Sequence, residues 1–488
     1  MRIKFGAIAV ALLIAISANA DDRFIRVDTK TMTFKGGRVI IDHSFGDVSV
    51  RTHSGSHVGY KATVRASGPE FGQKIVISAT ESPTGITIRT IYPESHGSHS
   101  SIRINGSTYS SYSVDLDVEI PATAPLTLRN KFGGTDVQGL RASSEIINAH
   151  GGVTLRDAHG AQRIENQFAG IDVANVTGDV TLQNANGGVT AHDIRGSVSV
   201  TNRFAGVDLQ HVTKNVTVRN ANGGVKVRDI DGAASLTSSF AGIDAAMVDG
   251  TLDANNTNGR VVAMNIKGRT SIHNSFAPVT ASDIGAELVV TSQNSQVDAL
   301  RISGPATITT SFDQVIAREI SGPAKITNEN GNVTAIDIRG DLTVDDRFGL
   351  VRAERIAGNV DIDNNNGGVN IDNTRGSARV HTSFASVFLK NINGPITVEN
   401  QNGSIAASAL PPTCHPVSLK TSYSSIKVSL PPSANYNVEA RTSYGHITTE
   451  IPITTTRATD EVLSGRIGNG GCKLDLQTTN GGVTIGRE

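Results

Sequence analysis

The chain has 488 residues, with 44 Lys and Arg against 45 Asp and Glu. The resulting net charge of −1 provides no basic face for phosphates and so excludes nucleic acid as a partner. Fifty glycines, no tryptophan and 4% aromatic residues suit tight turns and small inward side chains, not a bulky aromatic core.

In chain order, the first segment reads as secretory. Arg2 and Lys4 precede an apolar run from Ala7 to Ile16, and Ala18-Asn19-Ala20 supplies small residues for cleavage before Asp21. No later stretch is apolar and long enough to cross a bilayer as a helix. Residues 1–20 are therefore expected to be a signal peptide, with the remainder exported to the periplasm, the cell surface or beyond.

Residues 21–122 keep strand-like alternation, as in Asp47-Val48-Ser49-Val50-Arg51 and Val114-Asp115-Leu116-Asp117-Val118, and read as a β-rich N-terminal capping region. Five histidines fall here: His43, His53, His57, His96 and His99. His96 and His99 bracket Gly-Ser in a Ser-rich loop close to Glu94, a weak metal-binding pattern. Nothing local completes a zinc set, so an exposed loop is the expectation, and no metal or cofactor is assigned.

From residue 123 to 410 a unit of 18 residues recurs without insertion, giving sixteen rungs of a solenoid. Phe132, Phe168, Phe204, Phe240, Phe276, Phe312, Phe348 and Phe384 stand 36 residues apart. His150, Asn186, Asn222, Asn258, Asn294, Asn330, Asn366 and Asn402 take the same place on the rungs between. A glycine opens most rungs from Gly160 onward, and it is expected to supply a sharp left-handed turn. Four positions on, every rung is apolar, from Leu128 to Val398. Eleven and thirteen positions on, apolar residues return with polar ones between them, as in Val189 and Ala191. Short alternating runs bounded by glycine predict parallel strands stacked about 4.8 Å apart around an aliphatic interior. Six positions after each start stands Asn, or a hydrogen-bonding substitute such as Asp346, and this internal column is expected to form an amide ladder that caps the backbone where the rung bends, with each member satisfied by the next. Phenylalanine is expected to fill the corner between the strands, leaving no row of aromatic platforms outside.

Two aspartate columns face outward: Asp136, Asp172, Asp208 and Asp244 on the phenylalanine rungs, and Asp157, Asp193 and Asp229 on those between. Members of one column lie about 9.6 Å apart, too far to share a calcium ion, whose oxygen ligands lie within about 2.6 Å. With Arg156, Lys226 and Arg228 beside them, an ordinary solvated face is expected rather than a cation site.

Residues 411–488 open on Pro411-Pro412, lose phase, and resume strand patterns around Tyr423, Tyr444 and Asn480-Gly481-Gly482, which reads as a C-terminal cap. Cys414 and Cys472 are the only cysteines; in an exported chain a disulfide between them is the natural reading, two unpaired buried thiols the alternative.

Several segments carry a family resemblance. Val114-Asp115-Leu116-Asp117-Val118-Glu119-Ile120-Pro121 leads into Leu126-Thr127-Leu128-Arg129-Asn130, Asn-Gly-Gly-Val turns recur, and the tail contains Ser424-Ser425-Ile426-Lys427-Val428 and Thr442-Ser443-Tyr444-Gly445-His446-Ile447. The chain resembles bacterial exported β-strand-repeat proteins labelled "putative adhesins", a family of unknown function. That resemblance implies a right-handed parallel β-helix and brings no functional residues with it.

The fold expectation is thus all-β: one long parallel β-solenoid with β-rich caps. Gly-x-Ser-x-Gly, His-Glu-x-x-His, phosphate-loop and nonapeptide calcium motifs are missing from the sequence. A non-catalytic adhesion or binding scaffold of the cell envelope is the functional expectation, its ligand a protein or a polysaccharide and its state monomeric or weakly self-associating. The alternatives are a polysaccharide lyase or hydrolase using the acidic columns, and a self-assembling structural protein.

Overall fold

The computed structural model describes residues 24–66, 68–93 and 112–488, together with the backbone of Ile14–Ala15. Apart from that pair, the secretory segment lies outside the described residues, as do Glu94, His96 and His99. The chain is a β-solenoid of about 17 turns with about 18 residues per rung. It divides into two compact units, residues 1–238 and 239–488.

In the first unit each rung contributes two short strands, such as Val180–Asn184 and Val189–Arg195. Both pair in parallel with the strands one repeat later: Val180 opposes Val198, and Val189 opposes Val207. The 18-residue period places like over like. Leu182 and Ala191 are fully buried, while Thr190 and Arg195 on the same strand face outward. Burying one Val, Leu or Ile contributes about 1.5–3 kcal/mol. An exposed ion pair is worth about 0–1 kcal/mol, so the aliphatic interior holds the stack and the charges outside do not.

The N-terminal region joins the stack out of chain order. Arg38–Asp42 and Val48–His53 form a rung beneath Leu126–Asn130 and Thr135–Gln138. They pair on their other side with Gly85–Ile91 and Tyr112–Pro121. Antiparallel strands then take over: Phe24–Thr33 on His57–Ala66, His57–Ala66 on Tyr112–Pro121, and Val76–Ser82 on Gly85–Ile91. Such pairing occupies backbone groups that would otherwise form an open parallel edge.

The second unit repeats the rung pattern, Val297 opposing Val315 and Leu342 opposing Val360. Its C-terminal part is threaded. Val417–Lys420 lies on Ile396–Asn400 and is followed in space by Cys472–Gln477, with Tyr436–Arg441 beyond that. In the other sheet Ile426–Leu430 pairs with Val483–Arg487, which pairs in turn with Ile447–Thr449. Back in the sheet of Tyr436–Arg441, antiparallel Val462–Ile467 pairs on that strand and Thr454–Ala458 pairs on Val462–Ile467. Cys414 and Cys472 are joined in a disulfide, Cα atoms 5.7 Å apart, which staples the threaded strand to its neighbour.

Two turn expectations need correction. Gly160 and Gly178 hold the expected positive φ, 83° and 142°, but from Gly196 onward the left-handed residue is not the opening glycine; it is the residue fifteen positions after the rung start. Asp157, Asn175, Asp193, His211 and Asp229 hold φ between 52° and 60° in the first unit, and Asp283, Glu319, Asp337 and Asn373 hold similar values in the second. Asp and Asn bear this conformation at least cost, which explains their frequency in the column. The opening glycine answers mainly to proximity: a Cβ on Gly196 would stand 2.1 Å from the Gly178 carbonyl oxygen.

The asparagine column caps the backbone at the bend as expected, but its members are not satisfied by one another. Asn148 Nδ2 donates to the Gly133 carbonyl on the previous rung (3.1 Å) and to its own Gly151 carbonyl (2.8 Å), while its Oδ1 accepts from the Ala149 N–H (2.9 Å). Asn256 repeats this with Ala241 and Gly259. These amides thus bond to backbone, not amide to amide, because the carbonyls left free by the bend are nearer than the next side chain; Asn202 and Asn274 reach only the carbonyl of their own rung.

Candidate functional site

Two residues beyond each buried asparagine the chain turns outward, and the eighth-position column stands in solvent. This overturns the expectation that phenylalanine fills the corner. In the second unit Phe240 is 64% exposed, Phe276 57%, Phe348 59% and Phe384 60%. The inner side of this corner is already occupied by Asn256, Asn274 and their equivalents, all buried. The row of exposed aromatic platforms that the sequence reading denied is the phenylalanine column itself.

Backbone hydrogen bonds hold that column in single file. Asn258 N–H donates to the Ser239 carbonyl, Phe276 N–H to Thr257, Asn294 N–H to Ser275 and Phe312 N–H to Gln293, at 2.8–3.1 Å. Asn330, Asn366 and Asn402 continue the series. Neighbouring rungs lie about 4.8 Å apart, so successive rings stand about 9.6 Å apart with one polar rung between. Asn258 Nδ2 donates to the Ser239 carbonyl at 2.9 Å, and Asn402 Nδ2 to the Ser383 carbonyl at 3.0 Å. That bond fixes the amide plane and leaves its second N–H and its oxygen for solvent or ligand.

The series persists through the threaded tail. Tyr423 N–H donates to the Gln401 carbonyl, Asn480 N–H to Ser422, and Tyr444 N–H to Thr479. The spatial order is therefore Asn402, Tyr423, Asn480, Tyr444, although 444 precedes 480 in the chain. Tyr423 is 65% exposed and Tyr444 81%.

In the first unit the corresponding column runs Phe45, Phe132, His150, Phe168, Asn186, Phe204 and Asn222. Phe45 stacks on Phe132 at 5.1 Å, Phe132 on His150 at 4.5 Å, and His150 on Phe168 at 4.6 Å, all nearly parallel. Tyr92 and Tyr112 pack edge-on against Phe45 at 5.0 and 5.2 Å.

The aspartates fall on two separate lines, and each is engaged. Asp136 pairs with Arg51, Asp172 with Arg156 at 2.8 Å, Asp208 with Lys226 at 3.6 Å, and Asp244 with Arg260 at 3.4 Å. Asp157, Asp193 and Asp229 are left-handed corner residues. Gln138 and Asn175 donate to Asp157 and hold its carboxyl below the usual carboxylate range. His211 bridges Asp193 (3.6 Å) and Asp229 (3.1 Å). The second unit carries similar pairs, including bidentate Arg301–Asp283 and Arg355–Asp337. A shallow depression of about 620 Å³ lies on its other sheet, with Asp361, Asp363, Arg379 and His381 in its lining. Among the described residues no group of three or more His, Cys, Asp or Glu is placed to hold a metal ion.

The described histidines of the N-terminal region do not converge. His53 and His57 stack on each other at 4.0 Å across the turn that joins Val48–His53 to His57–Ala66. His43 is buried elsewhere, 1% exposed, with Nδ1 3.0 Å from Thr90 Oγ1 and Nε2 unpartnered. Burial pushes its pKa down from 6.5 to about 4, against the pull of the Phe45 and Val114 backbone and of Asp115 and Asp42. Its stabilising contribution is therefore complete above pH 6.5 and declines as pH falls from 6.5 towards 4, where the unfolded chain takes up the proton first. At about 1.4 kcal/mol per pH unit the loss is about 3 kcal/mol. Urea unfolding followed across that window should show the decline, and His43→Asn should flatten it; a slope unchanged by the substitution would assign the effect elsewhere.

Residues 321–486 match the family described as Toastrack DUF4097, which bears out the β-strand-repeat resemblance over that stretch. It contains Phe348, Phe384, Tyr423 and Tyr444. One similar solved structure is titled a "putative cell adhesion protein" from Clostridium sporogenes ATCC 15579. It is 10% identical with a TM-score of 0.20, and the match covers 50% of this chain and 99% of that one. No curated protein matches the sequence.

Proposed function

We propose that this chain, a Toastrack DUF4097 protein over residues 321–486, is a non-catalytic binding scaffold of the cell envelope that recognises its ligand along the exposed aromatic–amide column. The observation that carries the reading is the single file of solvent-facing rings from Phe240 to Tyr444, each anchored on a rigid hydrogen-bonded rung. Exposed aromatic rings cost solubility and contribute nothing to the interior, so a regular row of them signals contact with a partner. Export is supported by the N-terminal secretory pattern and by the Cys414–Cys472 disulfide, which persists in oxidising compartments. Among the described residues no helix is long and apolar enough to cross a membrane.

The test compares the protein with a variant carrying Phe276→Ser, Phe312→Ser, Phe348→Ser and Phe384→Ser for co-sedimentation with purified envelope fractions. The unaltered chain should be retained and the variant released, with unchanged circular dichroism. Equal retention of the two would remove the column from recognition, and release of reducing ends from envelope glycans would refute the non-catalytic assignment.

A further inference from the structure

The column in the second unit has a chemistry and a period that select among ligands. Rings alternate strictly with amides: Phe276, Asn294, Phe312, Asn330, Phe348, Asn366, Phe384, Asn402. A folded protein partner would be met best by contiguous apolar surface, but here each ring is separated from the next by a polar rung. The alternation also survives where the repeat does not. Tyr423, Asn480 and Tyr444 keep it in space although the chain reaches them in a different order. Duplication of an ancestral repeat could account for the phenylalanines; it does not account for a tail that restores the pattern by threading. The alternation therefore belongs to the surface.

We infer that the column binds an extended β-1,4-linked polysaccharide running along the stack, one disaccharide to every two rungs. This rests on the binding-scaffold reading above and names its ligand class. In such a glycan, linked equatorially at both ends, each pyranose advances the chain by close to one rung spacing, and alternate sugars turn the same face to one side. A disaccharide repeat is thus close to the ring separation of about 9.6 Å. One sugar of each pair lays its C–H face on Phe or Tyr. The next presents hydroxyl or acetamido groups to the Asn between, whose amide plane is already fixed in Asn258 and Asn402 by the carbonyl of the preceding rung. Because the scaffold is rigid, little conformational freedom is lost on binding, and many weak contacts in register add along one strand.

The experiment uses the full chain without its secretory segment and isothermal titration with three probes: chito-oligosaccharides of increasing length, cello-oligosaccharides, and α-1,4-linked malto-oligosaccharides, which coil. Affinity should rise with each added β-linked disaccharide, and the coiled series should bind far more weakly. Phe312→Ser and Phe348→Ser should each weaken binding roughly fivefold to tenfold. Phe312→Tyr should retain it, which separates loss of a platform from loss of fold. No length dependence, equal binding of the coiled series, or unchanged affinity in the Ser variants would overturn the inference. If the Ser variants lose retention on envelope fractions yet no glycan binds, the scaffold reading survives and the ligand is a protein. If sedimentation shows the rings driving self-association instead, the occupant is a second copy and the glycan assignment fails.

Discussion

Replacing Cys414 and Cys472 by Ser, or reducing their disulfide, is expected to destabilise the C-terminal part of the second unit by about 4 kcal/mol, the chain-entropy cost of a closed loop of this length. The two cysteines are 58 residues apart, and the loop they close includes Val417–Lys420, Ile426–Leu430 and Tyr436–Arg441. The bond also sits where chain connectivity helps least. Cys472–Gln477 must be held between Val417–Lys420 and Tyr436–Arg441, neither of which is its neighbour in sequence. Cys472 N–H donates to Cys414 Sγ at 3.1 Å, so the bridge is integrated with the rung's own hydrogen bonding. Guanidinium unfolding with and without reductant checks the expectation, and hydrogen exchange should place the loss of protection in residues 417–487. A shift below about 1 kcal/mol would show that packing alone fixes the threaded strand.

Asp346→Asn should act in the opposite direction and stabilise the protein by about 3 kcal/mol near pH 8. Asp346 occupies the buried asparagine column and is 1% exposed. On the neighbouring rungs the amide nitrogen at this place donates to a carbonyl fifteen residues earlier, Asn328 to Asp313 at 3.1 Å and Asn364 to Gly349 at 2.8 Å. A carboxylate has no proton to give the equivalent Gly331 carbonyl, and its Oδ1 is buried without a partner. Burial drives the Asp346 pKa up from 3.8 to about 6, despite N–H groups of Arg347 and Gly349 that favour the anion, with Asp345 adding to the rise. A carboxyl whose folded pKa is raised holds its full stabilising contribution below pH 3.8 and loses it as pH climbs through 6. Two units at about 1.4 kcal/mol each give the expected gain. The variant should match the parent at pH 4 and exceed it progressively towards pH 8 in thermal unfolding. Equal stability at pH 8 would mean that water or a cation satisfies the carboxylate.

The repeat, the paired strands and the aliphatic interior were legible because each depends on periodicity, and periodicity survives in a bare sequence. Direction was not. At Phe312 the period announces a structural column, but whether a residue just past a strand points inward depends on how the corner bends, and strand alternation ends there. One available signal was the company phenylalanine keeps: a dry corner would not accept Asn294 and Asn330 at the same place without partners. A second was Asn328, two positions earlier, already filling the inside. The left-handed corner at Asp157 and Asp193 was hidden because its tenants vary, including His211 and Glu319. Ion pairing of Asp172 and Asp208 was readable in outline from the basic residues nearby. The continuation of the ring column through Tyr423 and Tyr444 was not, since it depends on a strand order that sequence adjacency contradicts.

That order bears on how the polypeptide can be assembled and altered. Because residues 472–487 lie beneath 436–449, synthesis must run past the outer layer before the layer under it exists. A stack growing from the amino end would therefore pause at residues 417–430 and finish by a late insertion, with the hairpin of 454–467 carried along. Removing residues 472–487 would excise a floor rather than lift off the roof, whereas extra 18-residue repeats would extend the regular stack upstream of Cys414.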